Sequence, residues 1–486
     1  MKDLKKYRKR SRHVYRLLSI AIAAVILTLI VPVIRAQDDA AVTADTIAAL
    51  QGSIDTTWVL LTGFLVFFMQ VGFAMLEAGL IQQRGVVNAL LENFMDAGLT
   101  GLAFWAVGFG LAFGTPHESG LFGTSNFFLS DALSFADGAP VYAGAGLSTF
   151  TLFFFQFAFA ATASTITTGA MAERTDFVGD VIYSIIAGAI IYPLVVHWTW
   201  GGGWLAQRGF FDFAGSTVVH TVGGVMALMG AIMLGPRVGR VFGEMPKPHN
   251  LSLATIGAGI LWFGWYGFNP GSTLGTGDTG LMGLVTVNTT LACSAGTVVA
   301  MFFLYIRSGK WDLSITLNGA LAGLVAITAG CAFVAPWASV VIGAIAGVLV
   351  ILVVDLIESL KIDDPVGAFA VHGACGIFGT LMIGIVGQPE LMGGSTSLLV
   401  GGGFETFINQ LIGSTAVVIW TAVTAGITFG GLKAIGHLRV SSKADEMGID
   451  AYEHGASLWP DVLPMPGDGP VMVSETMGAK SPAMGD

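Results

Sequence analysis

The chain has 486 residues, of which 54% are hydrophobic and only 11% charged, with 67 glycines and a formal net charge of −10. A soluble protein carries about 25% charged residues, so this composition excludes a water-clothed globule and sets lipid against much of the surface. The acidity comes partly from the tail and loops, and no nucleic-acid partner is expected. The three cysteines, Cys293, Cys331 and Cys375, fall in or at the ends of apolar segments. They read as small buried hydrophobes rather than a disulfide framework or a zinc site. No cofactor or metal is expected.

Residues 1–16 hold Lys2, Lys5, Lys6, Arg8, Lys9, Arg10, Arg12 and Arg16, followed by an apolar run from Leu17 to Ile34. This is the layout of a secretory signal peptide over 1–36, with cleavage after Ala36, although Ile34 and Arg35 make a poor cleavage pattern. An uncleaved first helix is the alternative. A polar segment, 37–57, is expected outside the cell. Apolar runs of about 20 residues, the length that crosses a ~30 Å hydrocarbon core, then recur. They lie near 58–80, 90–113, 147–171, 178–197, 216–234, 251–269, 282–306, 315–331, 337–357, 368–386 and 404–432. The fold class is therefore all-α integral membrane with eleven transmembrane helices, occupying 58–437. A tail over 438–486 follows, structured to about Trp459 and disordered over 460–486.

Basic residues alternate between connections. One set holds Arg84, Arg174, Arg237, Arg240, Lys247, Arg307, Lys310, Lys361, Lys433, Arg439 and Lys443, and the other only Arg208. The positive-inside rule makes the first set cytoplasmic. The mature amino terminus is then outside and the tail inside, as an odd number of spans requires, and the cell membrane is the expected location.

Val-His-x-x-x-Gly occurs at Val219-His220 with Gly224, in the fifth span, and at Val371-His372 with Gly376, in the tenth. Two five-helix units must enter the membrane in opposite senses, so the fold reads as an inverted repeat plus a final helix. In transporters of that kind the substrate path lies at the repeat interface. Ionisable residues inside spans are rare and costly, and usually face a cavity. Two histidines in matching helices favour a pore function over simple packing.

The run from Trp200 to His220 passes from aromatic residues and glycines through one carboxylate, Asp212, into an apolar helix. It reads as the lip of a pore. Trp200, Phe155, Phe159, Trp265 and Phe268 lie at or near the outer ends of spans, where ring faces attract cations by about 0.5–2 kcal/mol. Asp212 either binds a cation directly or caps the helix beginning near Ser216, and capping is favoured. Glu77 and Glu92 read as inter-helix polar contacts, and Asp363-Asp364 as caps of the tenth helix. There is no Walker A loop, no His-Glu-x-x-His and no nucleophile elbow, so an enzyme is not expected.

Four stretches carry a resemblance: Gly72 to Gly79, Asp212 to His220, Trp262 to Ser272 and Asp363 to Gly373. With these, the chain from about Trp58 to Trp459 resembles the ammonium transporter family, the Amt/MEP/Rh group, and is closer to its Amt branch. The resemblance implies ammonium or ammonia as substrate. It implies an outer recruitment site of Trp200, Ser272 and Phe155, and a gate of Phe159 and Phe268. His220 and His372 would line the pore beside Trp265, and Asp212 would support the vestibule. It further implies a homotrimer and a tail that can meet a nitrogen-regulatory PII protein. Some members have tyrosine where Glu77 stands.

A charge at mid-membrane costs between ~3 and ~17 kcal/mol. Releasing a proton at pH 7 from an ammonium of pKa roughly 10 costs about 4 kcal/mol. The expected mechanism therefore deprotonates ammonium near the gate and conducts ammonia past the histidines, with or without the proton. Potassium has no proton to give up. The alternatives are an ammonium sensor that conducts little, and a channel for another small neutral solute.

Overall fold

The computed structural model describes residues 44–459 apart from 145, 245 and 246. The signal-peptide reading over 1–36 and the disorder reading over 460–486 fall outside the described residues. Contacts divide the chain after Leu50. Of the first unit only residues 44–50 are described, and they are helical.

Five of the apolar runs form helices that a polar residue starts. Ser148, Asp176, Asn250, Asp278 and Asp312 each accept a backbone N–H two or three residues on, which satisfies amides that a helix start leaves without a partner. The helices are α1 (Ala44–Leu80), α2 (Gln83–Phe113), α3 (Thr149–Met171), α4 (Phe177–Gln207), α5 (Ser216–Leu234), α6 (Leu251–Thr273), α7 (Thr279–Ser308), α8 (Leu313–Thr328), α9 (Pro336–Ser359), α10 (Phe369–Val386) and α11 (Glu405–Ala434). Ten are long and apolar enough to cross a membrane, and α8 is a shorter apolar helix. The chain is a mostly helical, multi-pass membrane protein, and its described residues hold eleven apolar helices in the predicted order. Helix α1 already runs through residues 44–57, ahead of the apolar run at 58, because nothing in them stops a helix once the run has nucleated it.

The connection between α2 and α3 carries a hairpin that hydropathy does not announce. Its strands, β1 (Leu133–Ala136) and β2 (Ala139–Tyr142), pair antiparallel with Leu133 opposite Tyr142. All eight strand residues are exposed, so no alternation of apolar and polar residues marks them.

Glycine sets how closely the helices cross, as expected where lipid gives hydrophobicity no preference for helix over solvent. A Cβ added at Gly79 of α1 would fall 2.4 Å from the Ala254 nitrogen of α6, and one at Gly257 of α6 would fall 2.3 Å from the Leu76 nitrogen of α1. Helices α7, α8 and α9 pack together, with Gly296, Gly319 and Gly323 at the first crossing and Gly343 and Gly347 of α9 against α7. After α11 come two short helices, α12 (Ser442–Met447) and α13 (Ile449–His454). Asp450 of α13 accepts the amides of Val87 (2.9 Å) and Asn88 (2.8 Å), and the His454 ring meets Asn88 Oδ1 at 2.7 Å. The tail thereby caps the start of α2 from outside.

A buried ion network lies among the loops on that same face. Arg237 donates to Asp363 from Nε (2.8 Å) and Nη2 (2.9 Å) and to Glu173 from Nη1 (2.6 Å). Arg240 reaches Asp363 at 3.2 Å and pairs with Glu358. Burial alone would raise Asp363, but the hydrogen bonds from Arg237 and the charges of Arg174 and Arg237 outweigh it. They hold the carboxyl below the ordinary carboxylate range.

Candidate functional site

The site begins with a turn that only glycine makes comfortably. Gly215, at φ 114°, lets the chain double into α5 directly after Asp212. Asp212 Oδ1 then accepts the amides of Gly215 (2.7 Å) and Ser216 (3.1 Å), and Oδ2 those of Thr217 (2.8 Å) and Val218 (2.9 Å). Burial pushes this carboxyl up to about 6, with the four amides opposing.

The second half of the chain repeats the device. Asp364 accepts the amides of Gly367 and Ala368 at 3.0 Å and of Phe369 at 2.9 Å, and Gly367 has φ 78°. The acid precedes its histidine by eight residues in each half, 220 − 212 and 372 − 364. Both histidines sit in a turn of π-helix, Ser216–Thr221 and Phe369–Ala374, wider than an ordinary turn and frequent at functional sites.

The glycine four residues after each histidine is where the partner helix passes. A Cβ on Gly224 would lie 2.2 Å from the Gly373 nitrogen, and one on Gly376 would lie 2.4 Å from the Ser216 carbonyl oxygen. This contact brings the imidazoles together, Nδ1 to Nδ1 at 3.1 Å with the rings 27° apart. One neutral ring must donate and the other accept, so the two are opposite tautomers. One Nε2 is then a donor and the other an acceptor.

Rings continue from the pair in both directions. Trp265 stacks on His220 at 5.0 Å and 18°, its Nε1 donating to Thr328 at 2.8 Å. Phe268 lies 5.3 Å from His220, and Phe159 stacks on Phe268 at 4.0 Å. Beyond them Phe155 meets Phe159 at 4.7 Å, and Trp200 stands edge-on to Phe159 at 6.1 Å and 81°. Trp200 Nε1 donates to the Asp212 carbonyl at 2.7 Å, so the rim ring is tied to the residue that caps α5. The Ser272 hydroxyl donates to the Phe268 carbonyl at 2.8 Å, which leaves its oxygen free to accept. That bond ties Ser272 to the backbone of Phe268, and at its neighbour Gly271 an added Cβ would lie 3.1 Å from Phe155. On the far side of the pair, Phe73 lies 6.1 Å from His372.

The nine residues singled out from the sequence therefore lie together, in one file from Trp200 to His372. Phe159, Phe268 and His220 are no more than 1% exposed. Such a file can draw a cation to aromatic faces at its rim, but at its centre it offers a bare ion one imidazole lone pair and no counter-charge. A small neutral molecule with both a lone pair and N–H or O–H groups finds a hydrogen-bond partner of each kind. Sequence reading passed over Asp364 as the counterpart of Asp212, although the shared eight-residue offset and the glycine three residues after each acid were visible. Phe73 and Thr328 carry no such signal, since their roles arise only where helices meet.

Comparison with known proteins points the same way. A model described as the Ammonium Transporter Family matches residues 57–458. The chain is 42% identical over 429 residues to ammonium transporter Amt2 of Archaeoglobus fulgidus, covering 84% of this chain and 89% of that one. It is 36% identical to ammonium transporter 1 member 3 of Solanum lycopersicum, covering 84% and 93%. Among solved structures, a protein titled Sensor Amt Protein superposes with TM-score 0.77 at 37% identity, covering 84% of this chain and 99% of that one. Mep2 of Candida albicans superposes with TM-score 0.73 at 29% identity, covering 80% and 87%.

Proposed function

The chain belongs to the ammonium transporter family, and on that premise we propose that it gathers ammonium at Trp200, Phe155 and Ser272, strips one proton near Phe159 and Phe268, and passes ammonia along His220 and His372. The observation that carries this reading is the imidazole pair at 3.1 Å directly behind two stacked phenylalanines. An intact ion would lose its water at those rings and find no charge beyond them, at a cost that reaches well above the about 4 kcal/mol of giving up a proton. Ammonia needs only an acceptor for its N–H groups and a donor for its lone pair.

Trp200 and Phe155 attract the cation through their ring faces, and the Ser272 oxygen accepts one of its N–H groups. Asp212 supports the rim through the Trp200 hydrogen bond and adds negative charge behind it. Trp265 flanks the first histidine and fixes its plane. In this reading the Trp200 end faces outward and the tail is cytoplasmic, which agrees with the distribution of arginine and lysine. The leader over 1–36 is removed. The protein works as a homotrimer with one pore in each subunit, in the cell membrane, and its tail presents a surface to a PII protein.

The test is purified protein in lipid vesicles. Ammonium should drive a current or an internal pH change at least tenfold above that of an equal potassium gradient; equal responses to the two ions would sink the proposal. The neighbour titled a sensor gives the second reading its support, namely binding with little conduction. Saturable ammonium binding without flux in the same vesicles would select it.

A further inference from the structure

On the far side of His372 from the phenylalanine gate lies a small cavity of about 20 Å³, lined by Phe73, Leu76, Glu77, Asn318, Val366 and His372 among others. That is room for about one molecule the size of water or ammonia. Asn318 and Val366 also line a second cavity, which reaches Ser314, Glu358 and Asp364 at the loops. The path from the histidine pair to the tail face thus passes a carboxyl group buried in α1. Glu77 is 3% exposed, and its hydrogen-bond partners are neutral.

Those partners are arranged in an informative way. Asn93 Nδ2 donates to Glu77 Oε2 at 2.8 Å and to the Ala89 carbonyl at 2.9 Å, one proton for each acceptor. The Thr168 hydroxyl lies 2.7 Å from Glu77 Oε1 and equally 2.7 Å from the Thr165 carbonyl oxygen. A hydroxyl has one proton to donate, and ionised carboxylate and carbonyl are both acceptors. With Glu77 ionised, Thr168 donates to it. With Glu77 protonated, the acid donates to Thr168, and Thr168 donates to its own helix. Either proton count is satisfied by turning one O–H bond, with no heavy atom displaced. A carboxyl serving only to pin α1 to α2 and α3 has no need of a partner that accommodates both states.

We propose that Glu77 is the proton donor on the inner side of the histidine pair. Ammonia leaving His372 takes the Glu77 proton: an N–H bond forms, the O–H bond breaks, and ammonium is left beside the carboxylate. The ammonium departs past Asn318 and Val366, and Glu77 regains a proton from the water of the inner mouth. Re-forming the ion inside the channel keeps neutral ammonia from drifting back past the histidines.

This rests on the conducting reading, and the experiment separates the two. Vesicle currents driven by ammonium and by potassium are recorded for the wild type, Glu77→Gln, Thr168→Val and Thr168→Ser. Glutamine keeps the pin, because its oxygen accepts from Asn93 and its amide donates to Thr168, but it has no acidic proton. The maximal ammonium current of Glu77→Gln should fall by about tenfold or more, within the range of general acid–base effects, with the half-saturation concentration unchanged. A wild type without ammonium current removes the conducting reading and this inference with it. A conducting wild type matched by Glu77→Gln overturns the inference alone. If Glu77→Gln does not purify as folded protein, the Thr168 variants decide: slow valine with serine at the wild-type rate supports the role, and any other pattern overturns it.

Discussion

The proposed recruitment role puts Trp200 at substrate capture and outside the later steps. Its ring faces the rim and touches the gate only edge-on to Phe159. Trp200→Leu should raise the half-saturation concentration about 2- to 30-fold, the equivalent of a cation–π contact of about 0.5–2 kcal/mol, with maximal rate nearly unchanged. The reverse pattern in vesicle currents would argue against recruitment. The histidines act further in. His220→Ala or His372→Ala removes one hydrogen-bond partner worth about 1 kcal/mol, so ammonium flux should fall about fivefold. The space opened should also admit water and raise potassium leak. Unchanged flux and selectivity in both variants would remove the pair from the mechanism.

The proposed vestibule role of Asp212 predicts a pH dependence. Burial raises its carboxyl to about 6, so the group loses its charge as pH falls through that value. The half-saturation concentration for ammonium should rise between pH 7 and pH 5. Asp212→Asn should abolish that dependence and show the raised value at pH 7. The linkage to stability has the opposite sense: a carboxyl raised in the folded state favours folding below its unfolded pKa, and that contribution disappears as pH rises through about 6.

At the scale of the element, the crossing of α5 and α10 is set by Gly224 and Gly376, each within 2.4 Å of the partner backbone if given a Cβ. Backbone cannot give way as a side chain can, so Gly224→Val should cost at least the 1–3 kcal/mol typical of overpacking. The thermal midpoint in detergent should drop and ammonium flux should be lost; a variant as stable and as active as wild type would refute the close crossing. The sequence motif already held this information, since Val-His-x-x-x-Gly places the glycine one turn from the histidine. The apolar runs also marked all eleven helices. What they could not mark was the hairpin Leu133–Tyr142, whose residues are exposed on both faces. Nor could they mark the helix that runs through residues 44–57 ahead of the first apolar run. The counterpart role of Asp364 was legible only by laying the two halves side by side. That Glu77 lies under His372 depends on where α1 meets α10, and no local pattern encodes that meeting.

For the whole molecule, the loops on the tail face are bound to one another by charge as well as by packing. Asp363 takes hydrogen bonds from Arg237 and Arg240, while Arg174 donates to the carbonyls of Ala170, Ala172, Gly235 and Asp363. Asp363→Asn leaves arginines buried without their partner and should cost about 3–5 kcal/mol, read as a lowered unfolding midpoint in detergent. Because Asp363 is held below the carboxylate range, its stabilising contribution is present above its unfolded pKa and disappears as pH falls through its folded value. The homotrimer proposed above is checked by the mass of the purified particle, expected to be three chains.

The wide turns that hold the histidines have an arithmetic consequence. A π-turn is an α-helix with one residue too many, and each residue of an α-helix is worth about 100° of rotation. Removing any single residue from Ser216–Thr221 would let the surplus relax into ordinary helix. The helix beyond the turn would keep its phase, but the turn itself would close up and His220 would leave the position from which it meets its twin. The bridge between the two imidazoles thus depends on residue count as much as on residue type. A family of sequences folding this way can exchange many side chains around the histidine pair, yet has almost no freedom to lose or gain a residue between each capping acid and its imidazole.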